Sequence, residues 1–376
     1  MEDLRKQMPH KSSATLIVAA LALLFLSLDA GVVNAQTTWN RSPSNPVLSP
    51  SSSGWDSWAV FLPQVYYNGS VYQMWYTGYS HSSSNQVGYA TSPDGVVWTK
   101  YSGNPVIMRG APGAWDSARI VGGSVLKNGS TYMMWYQGLY IYGNGTRVTG
   151  LGLATSSDGV TWTKYSGNPV LTGSHPVYPW VLRIGDAFKM WYTCRENEGT
   201  QDALCYATSL DGIHWTENQA AVFQGTGSAS DWDGGGVYSA NVLYDGNGYG
   251  MWYTGYNAGG TQSQIGYATS TDGISWTRAP ENPILGPSSA GAWDSYDAVE
   301  NTGIIQVGGT FKLYYSADQG PLSSNGLPQS EKIGLAEAPA GFALTEFQND
   351  GVTFMLLALL SVWITSVGVT HRNFHT

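Results

Sequence analysis

Short apolar runs separated by Gly, Pro, Asn and Asp punctuate the chain, and the clearest set lies between residues 55 and 106. Residues 60–67 form one run, Asn68-Gly69 interrupts it, and residues 71–77 follow with aromatic and β-branched side chains on both faces. A third run covers 86–91, Pro93-Asp94-Gly95 breaks the pattern again, and a fourth covers 96–100. Runs of this length, bounded by turn residues, predict four strands in hairpin succession. The second run, apolar on both faces, predicts a strand covered from both sides, as where sheets stack face to face. Asn68-Gly69 predicts a tight two-residue hairpin. Asp94 predicts a turn closed by side-chain bonds to nearby backbone N–H groups.

The whole set recurs. Trp55-Asp56, Met74-Trp75-Tyr76, Gly88-Tyr89-Ala90-Thr91-Ser92, Asp94-Gly95, Trp98 and Asn104-Pro105-Val106 return as Trp115-Asp116, Met134-Trp135-Tyr136, Gly152-Leu153-Ala154-Thr155-Ser156, Asp158-Gly159, Trp162 and Asn168-Pro169-Val170. A third copy keeps Met190-Trp191-Tyr192, Tyr206-Ala207-Thr208-Ser209, Asp211-Gly212 and Trp215 but has no Trp-Asp pair. The fourth has Trp232-Asp233, Met251-Trp252-Tyr253, Gly266-Tyr267-Ala268-Thr269-Ser270, Asp272-Gly273, Trp276 and Asn282-Pro283. The fifth has Trp293-Asp294, Leu313-Tyr314-Tyr315 and Gly334-Leu335-Ala336, then stops short. The central aromatic falls at 75, 135, 191, 252 and 314, giving spacings of 60, 56, 61 and 62. Four short strands at so long a period predict blades set around an axis. The expectation is an all-β, five-bladed β-propeller of four-stranded antiparallel blades over residues 36–337. The segment missing from the fifth copy sits at the other end of the chain: residues 39–47 end in Asn45-Pro46-Val47 as 98–106 end in Asn104-Pro105-Val106. It is expected to pair beside residues 333–336 as the outer strand of the last blade, which removes a free sheet edge.

The ends read differently. Arg5, Lys6 and Lys11 precede the uncharged apolar stretch 14–28, and Val33-Asn34-Ala35 follows, so residues 1–35 have the three-part form of a secretory signal peptide. Residues 351–370 are twenty residues without a charge, long enough to span a bilayer, with His371 and Arg372 after them. That pattern predicts a propeller outside the cell, a stalk at 338–350, one C-terminal transmembrane helix and a cytoplasmic tail at 371–376. Short acidic-aromatic stretches before such a span are similar to the surface-anchoring tails of exported archaeal and bacterial proteins. The two cysteines, Cys194 and Cys205, take the places of Gly78 and Gly88 in the repeat and are expected to face each other across a hairpin and form a disulfide. Asn40, Asn68, Asn128 and Asn144 head Asn-X-Ser/Thr triplets that permit glycosylation.

A formal charge of −9, only 11% charged residues and no basic patch argue against a nucleic-acid partner. No glycine-rich phosphate loop or Cys/His ligand cluster is present, so neither cofactor nor metal is expected. A monomer is expected.

Residues present in every copy serve the fold first, so the Trp-Asp aspartates read as turn caps unless something sets one apart. The informative positions break the repeat. Three residues after the Trp-Asp aspartate, and at the corresponding place in the third copy, stand Ala59, Arg119, His175, Gly236 and Asp297. Inner strands of a propeller line its central channel, so this column predicts a ring of unlike groups about one axis. Glu300, Asn301 and Tyr178 lie slightly deeper, and Arg195, Glu196 and Glu198 sit in the loop after the second strand of the third copy. Polar groups converging in a concavity are the default site hypothesis.

The run Tyr-Ala-Thr-Ser-X-Asp-Gly-X-X-Trp-Thr with its following Asn-Pro-Val/Ile resembles the blades of the five-bladed glycoside hydrolases of families 43, 32, 62, 68 and 130, over residues 39 to 337. Asn45-Pro46-Val47-Leu48, Trp55-Asp56 and Val60-Phe61-Leu62-Pro63 are similar to the opening of family 130 and family 43 domains, which implies that Asp56 is the first-blade acid. Asp116 to Arg119 resembles the second-blade Asp-Pro-Arg, with one extra residue and no proline. The third-blade Glu of family 43 has no match, since that strand reads His175-Pro176-Val177-Tyr178-Pro179-Trp180. The turn at 92–98 is also similar to the Asp box of sialidases but lacks a residue between Asp and Gly. The resemblance implies a carbohydrate substrate and hydrolysis by two carboxyl groups. Asp56 is then the expected base. Asp116 or Asp297 positions the sugar, Glu300 or Glu196 is the acid, and Arg119, His175, Tyr178 and Asn301 hold the substrate. The alternative is a non-catalytic surface propeller that binds glycan or protein through Tyr140, Tyr142 and Tyr256.

Overall fold

The computed structural model describes residues 38–340 except 82, 174, 196–200, 297, 319 and 321–329. The expected signal peptide and C-terminal span lie outside these residues. Among the described residues no helix is long and apolar enough to cross a membrane.

Five antiparallel sheets form the blades. Blade 1 is built, from the axis outward, of Ala59–Tyr67, Tyr72–Ser80, Ser83–Ser92 and Thr99–Lys100. In blade 2 the inner strand is split into Arg119–Val121 and Val125–Asn128, followed by Thr131–Ile141, Arg147–Ser156 and Thr163–Lys164. Blade 3 has Val177–Ile184, Ala187–Cys194, Ala203–Ser209 and Thr216–Glu217, with Phe223–Gln224 added to its third strand. Blade 4 is Gly236–Tyr244, Tyr249–Tyr256, Ser263–Ser270 and Thr277–Arg278. Blade 5 takes Val299–Val307, Thr310–Ala317 and Lys332–Pro339 from the end of the chain and Asn40–Arg41 from its beginning. Arg41 pairs with Ala336 and Leu48 bridges Ile333, so the ring closes as the repeat predicts.

Two local expectations change. The outer strands shrink to two residues, because the turn before them is longer than expected: Asp94 Oδ1 accepts hydrogen bonds from the N–H groups of both Val96 and Val97, which keeps them out of the sheet. Asp158, Asp211 and Asp272 repeat the arrangement. The first hairpin is not a two-residue turn. Only Gly69 takes a positive φ (91°), and Asn68 acts through its side chain, accepting from Ser70 and Val71 N–H.

Each second strand puts its aromatics between neighbouring sheets. Trp75, Trp135, Trp191, Trp252 and Tyr314 are at most 1% exposed. Burial of side chains this large contributes about 1.5–3 kcal/mol each. These rings also reach the next blade. Trp75 Nε1 donates to Gly159 O, Trp135 Nε1 to Gly212 O, Trp191 Nε1 to Gly273 O, and Tyr314 Oη to Gly95 O, all at 2.8 Å. Only Trp252 has no such acceptor, since the fifth blade lacks the Asp-Gly turn; its Nε1 is buried without a partner among the described residues.

The inner strands carry one bulge each, and the bulges shape the axis. Leu62, Tyr178, Ser239 and Asn301 have φ of 51°, 51°, 48° and 51°, while blade 2 uses Gly122-Gly123 at the same place. The ladder shifts register there. A hydroxyl of the preceding blade accepts the freed N–H in four of the five cases: Ser316 from Leu62, Thr77 from Gly122, Thr193 from Ser239 and Thr254 from Asn301. The residue ahead of Tyr178 in this column is Gln137.

Closure of the ring through the first strand can be tested by deleting residues 38–48. The variant loses the Arg41–Asp294 ion pair at 2.7 Å and leaves the strand Lys332–Pro339 as an open edge. Size-exclusion chromatography is expected to show aggregates, with a melting temperature well below that of the intact chain.

Candidate active site

A cavity of about 940 Å³ opens at the axis, a size that accommodates a small ligand. Blade 2 contributes Arg119, Gln137 and Thr149, and blade 3 contributes His175, Tyr178, Arg195 and Asp202. Tyr238, Tyr256 and Ser263 come from blade 4 and Glu300 from blade 5. The bulges explain how strand residues reach the cavity: Tyr178 sits on one, and Tyr238 and Glu300 immediately precede two others.

Glu300 is the acidic centre of this cavity. Tyr238 Oη donates to its Oε2, and Asn301 Nδ2 donates to its Oε1 at 2.7 Å. Burial raises its carboxyl above the usual carboxylate range, and the two hydrogen bonds offset part of that rise. Glu331, only 8% exposed, is pushed well up, first by burial and then by the charges of Glu300 and Asp318. Tyr178 is also pushed up, chiefly by burial and next by Glu300, while Arg119 pulls it down and Asp202 adds a smaller rise. Glu331 raises it as well, so four charges act on one phenol. Asp202 is ion-paired with Arg195 at 2.5 Å across the blade 3 hairpin.

Of the residues expected at the site, Arg119, His175, Tyr178 and Glu300 are brought together, and Asn301 lies buried behind Glu300. Asp297 and Glu196 lie outside the described residues. Asp56 and Asp116 do not line the cavity. Asp56 is 2% exposed, ion-paired with Lys100 at 2.6 Å and bonded by Tyr76 Oη at 3.1 Å. Asp116 has Lys164 at 2.5 Å and Tyr136 at 3.2 Å. Asp233 with Arg278 and Tyr253, and Asp294 with Arg41 and Tyr315, repeat the net. The physical reason is the Trp-Asp step itself: the indole lies across the glycines of the second and third strands, and this fixes the carboxylate beside the outer strand. A Cβ at Gly78 would come within 2.6 Å of Asp56 Cβ.

Blade 3 has no Trp-Asp, and Cys194 and Cys205 form a disulfide with Cα atoms 5.8 Å apart. They are diagonal rather than directly opposed: Cys205 pairs with Tyr192, and Cys194 with Ala203. In the same blade the outer-strand cation is replaced by Glu217, which accepts directly from Tyr192 Oη at 2.6 Å.

Sequence reasoning missed Gln137, Thr149, Asp202, Tyr238 and Ser263. A signal for three of them was present. Three residues before the third-strand glycine, or the cysteine in its place, stand Asn85, Thr149, Asp202, Ser263 and Glu331, a column as varied as the inner-strand one.

Residues 179–297 match the family model described as glycosyl hydrolases family 32 N-terminal domain. An uncharacterised protein of Mycobacterium tuberculosis, Rv1502, is 26% identical over 287 residues, 72% of this chain and 93% of that protein. Among solved structures, a glycosyl hydrolase from Bacteroides ovatus superposes with a TM-score of 0.64 at 18% identity, over 82% of this chain and 96% of that one. A structure described under the family 130 mannoside phosphorylases, which contain glycoside hydrolases that target β-1,2 mannosidic linkages in Candida mannan, gives 0.63 at 18% identity, covering 85% and 97%. The chain thus has the fold of five-bladed propeller glycoside hydrolases, and at this identity the structural likeness is one of fold.

Two outcomes follow from the charges. Asp56→Asn and Asp116→Asn each leave a lysine half-buried without its partner and are expected to cost roughly 3 kcal/mol of stability, measured by denaturant unfolding. Glu331 holds its proton more tightly folded than unfolded, so its contribution is present at low pH and lost as pH rises through the raised folded value. Glu331→Gln is therefore expected to raise the melting temperature at pH 7 by roughly 2–4 °C, with the gain vanishing below about pH 4.

Proposed function

We propose that this protein is a glycoside hydrolase acting on an oligosaccharide or polysaccharide in the axial cavity, with Glu300 as proton donor and Asp202 as the second carboxyl group. The observation that carries this reading is the pairing of unlike environments in one cavity. Glu300 is desolvated and held by Tyr238 and Asn301, while Asp202 is ion-paired with Arg195. Two carboxyl groups whose surroundings differ in this way divide acid and base roles. A protonated Glu300 gives its proton to the leaving glycosidic oxygen. The Asp202 carboxylate activates water or attacks the anomeric carbon, according to whether the two groups stand ~6.5–9.5 Å or ~5–5.5 Å apart. Tyr178, Tyr238 and Tyr256 supply flat surfaces for sugar rings.

The protein works at the cell surface in this reading, exported by residues 1–35 and held by 351–370, as a monomer. The Cys194–Cys205 disulfide supports an oxidising compartment. A second reading is favoured by the closure of Asp56 and Asp116 in ion pairs: a binding module that uses the same tyrosines without turnover.

The test is a screen of the chain and its Glu300→Gln variant against aryl glycosides and polysaccharides. Hydrolysis by the parent that falls at least a hundredfold in the variant, with the melting curve kept, supports the assignment. Because the Glu300 pKa is raised, parent activity is expected to fall as pH climbs through that value, whereas Asp202→Asn, which removes the second carboxyl group, is expected to abolish turnover. Glycan binding without turnover by the parent selects the binding module.

A further inference from the structure

We propose that the blade 2 wall of the axial cavity is a subsite for an acidic sugar, a uronate whose carboxylate is held by Arg119. This rests on the carbohydrate reading of the cavity but not on Glu300 chemistry.

Arg119 Nε, Gln137 Oε1 and Thr149 Oγ1 are all buried with no hydrogen-bond partner among the described residues, and all three side chains line the cavity. Buried polar groups normally find partners, and each orphan costs about 1–3 kcal/mol. Three orphans on one wall, counted among the described residues, mark it as a place where a ligand can supply the missing partner. The register places them together: Arg119 pairs with Leu139, Leu139 with Thr149, and Gln137 lies two residues from Leu139 on the same strand. Directly opposed residues and those two apart share a sheet face, so the three polar side chains surround Leu139 on one face of blade 2.

Gln137 marks the patch as a departure from the fold's own needs. Its counterparts Thr77, Thr193, Thr254 and Ser316 each accept the bulge N–H of the next blade. Gln137 instead leaves its carbonyl oxygen free at the cavity wall.

The sign of the ligand follows from charge. The protein carries −9 overall, yet among the described residues three arginines, Arg119, Arg147 and Arg195, line the cavity against two carboxyl groups, Asp202 and Glu300. Arg195 is neutralised by Asp202, whereas Arg119 has no ion-pair partner among the described residues. A guanidinium without a carboxylate in a part-buried site is matched by a planar, two-oxygen anion from the ligand. Thr149 can donate to the same carboxylate, and Gln137 Oε1 can accept from a neighbouring sugar hydroxyl.

The experiment measures calorimetric binding of oligogalacturonide and oligoglucuronide, their carboxyl-reduced neutral counterparts, and inorganic phosphate to the full chain at pH 7. A uronate that binds at least tenfold tighter than its reduced counterpart, with Arg119→Met bringing the ratio of the two affinities to within threefold of one, supports the subsite. Arg119→Lys is expected to fall between, since it keeps charge and loses the planar fork. Equal affinity for acid and neutral sugars overturns the proposal. So does a preference that survives Arg119→Met, or phosphate binding that exceeds uronate binding. The ligand comparison on the unaltered protein stands even if the variant does not fold. Hydrolysis of neutral glycans sensitive to Glu300→Gln, without uronate preference, defeats the subsite and leaves the hydrolase standing. Uronate preference without hydrolysis of any glycan does the reverse.

Discussion

Everything in this molecule hangs on the joint between one blade and the next, and that joint is a single aromatic hydrogen bond repeated around the ring. A ring from the second strand crosses the intersheet gap and donates to the carbonyl of the glycine in the neighbour's Ser-X-Asp-Gly turn. The turn must therefore present that carbonyl at a set angle. Ser92 Oγ accepts from Gly95 N–H, and Asp94 gathers two further N–H groups, and this leaves the carbonyl of Gly95 facing the gap. Gly95 itself has φ of 77°, a conformation that L side chains rarely adopt. The chain of constraint thus runs from a four-residue motif to a turn, to a carbonyl, to the stacking of whole sheets. The one break in the circle, at Trp252, falls where the last blade borrows its outer strand from the start of the chain.

Much of this was legible because the repeat states it several times. Blade number, strand order and ring closure follow from five copies of an aromatic triplet and one displaced Asn-Pro-Val. Asn104 shows why that motif recurs: its Oδ1 accepts from Tyr89 N–H and its Nδ2 donates to Tyr89 O, so the side chain does for the third strand what another strand would do. The Trp-Asp aspartates were harder. Their retention in four copies pointed to structure, while the resemblance to hydrolases pointed to Asp56 as an acid. The deciding signal lay elsewhere in the repeat, in the outer-strand column Lys100, Lys164, Glu217, Arg278 and Arg41. A cation stands wherever the aspartate exists, and an acid replaces it where the aspartate is gone. Reading that column beside the Trp-Asp column would have assigned both to one buried ion pair. The depth of the bulges was not legible, because a single left-handed residue such as Leu62 or Tyr178 leaves no compositional mark.

Blade 3 shows how one space can be filled in two ways. In blades 1, 2 and 4 two glycines clear room for an indole: Trp55 lies over Gly78 and Gly88, Trp115 over Gly138 and Gly152, Trp232 over Gly255 and Gly266, while in blade 5 Trp293 lies over Gly334, with Ala317 at the second-strand position. Where the indole is missing, Cys194 and Cys205 occupy the glycine positions and a disulfide takes up the volume. The substitution is coupled. Without Trp-Asp there is no buried carboxylate to neutralise, so Tyr192 bonds to Glu217 instead of sharing an aspartate with a lysine. Covalent closure of the hairpin also anchors the base of the loop that carries Arg195 and Asp202, the ion pair on the cavity wall.

The same logic locates the cavity. Four blades give their second strand a Thr or Ser that satisfies the neighbour's bulge, and one of these, Thr193, itself lines the cavity. Between blades 2 and 3 the hydroxyl is replaced by Gln137, the bulge residue is the bulky Tyr178, and the inner strand of blade 2 is broken by Gly122-Gly123. A Cβ at Gly123 would lie 2.8 Å from Pro179 Cγ, so the break lets the two blades approach there. The bulge hydroxyl is thus replaced at one joint out of five, and it is at this joint that the side chains of Arg119, Thr149 and Gln137 each have a buried atom without a partner among the described residues. The cavity wall on this side thus departs from the repeat at the one position where the other four blades keep a hydroxyl.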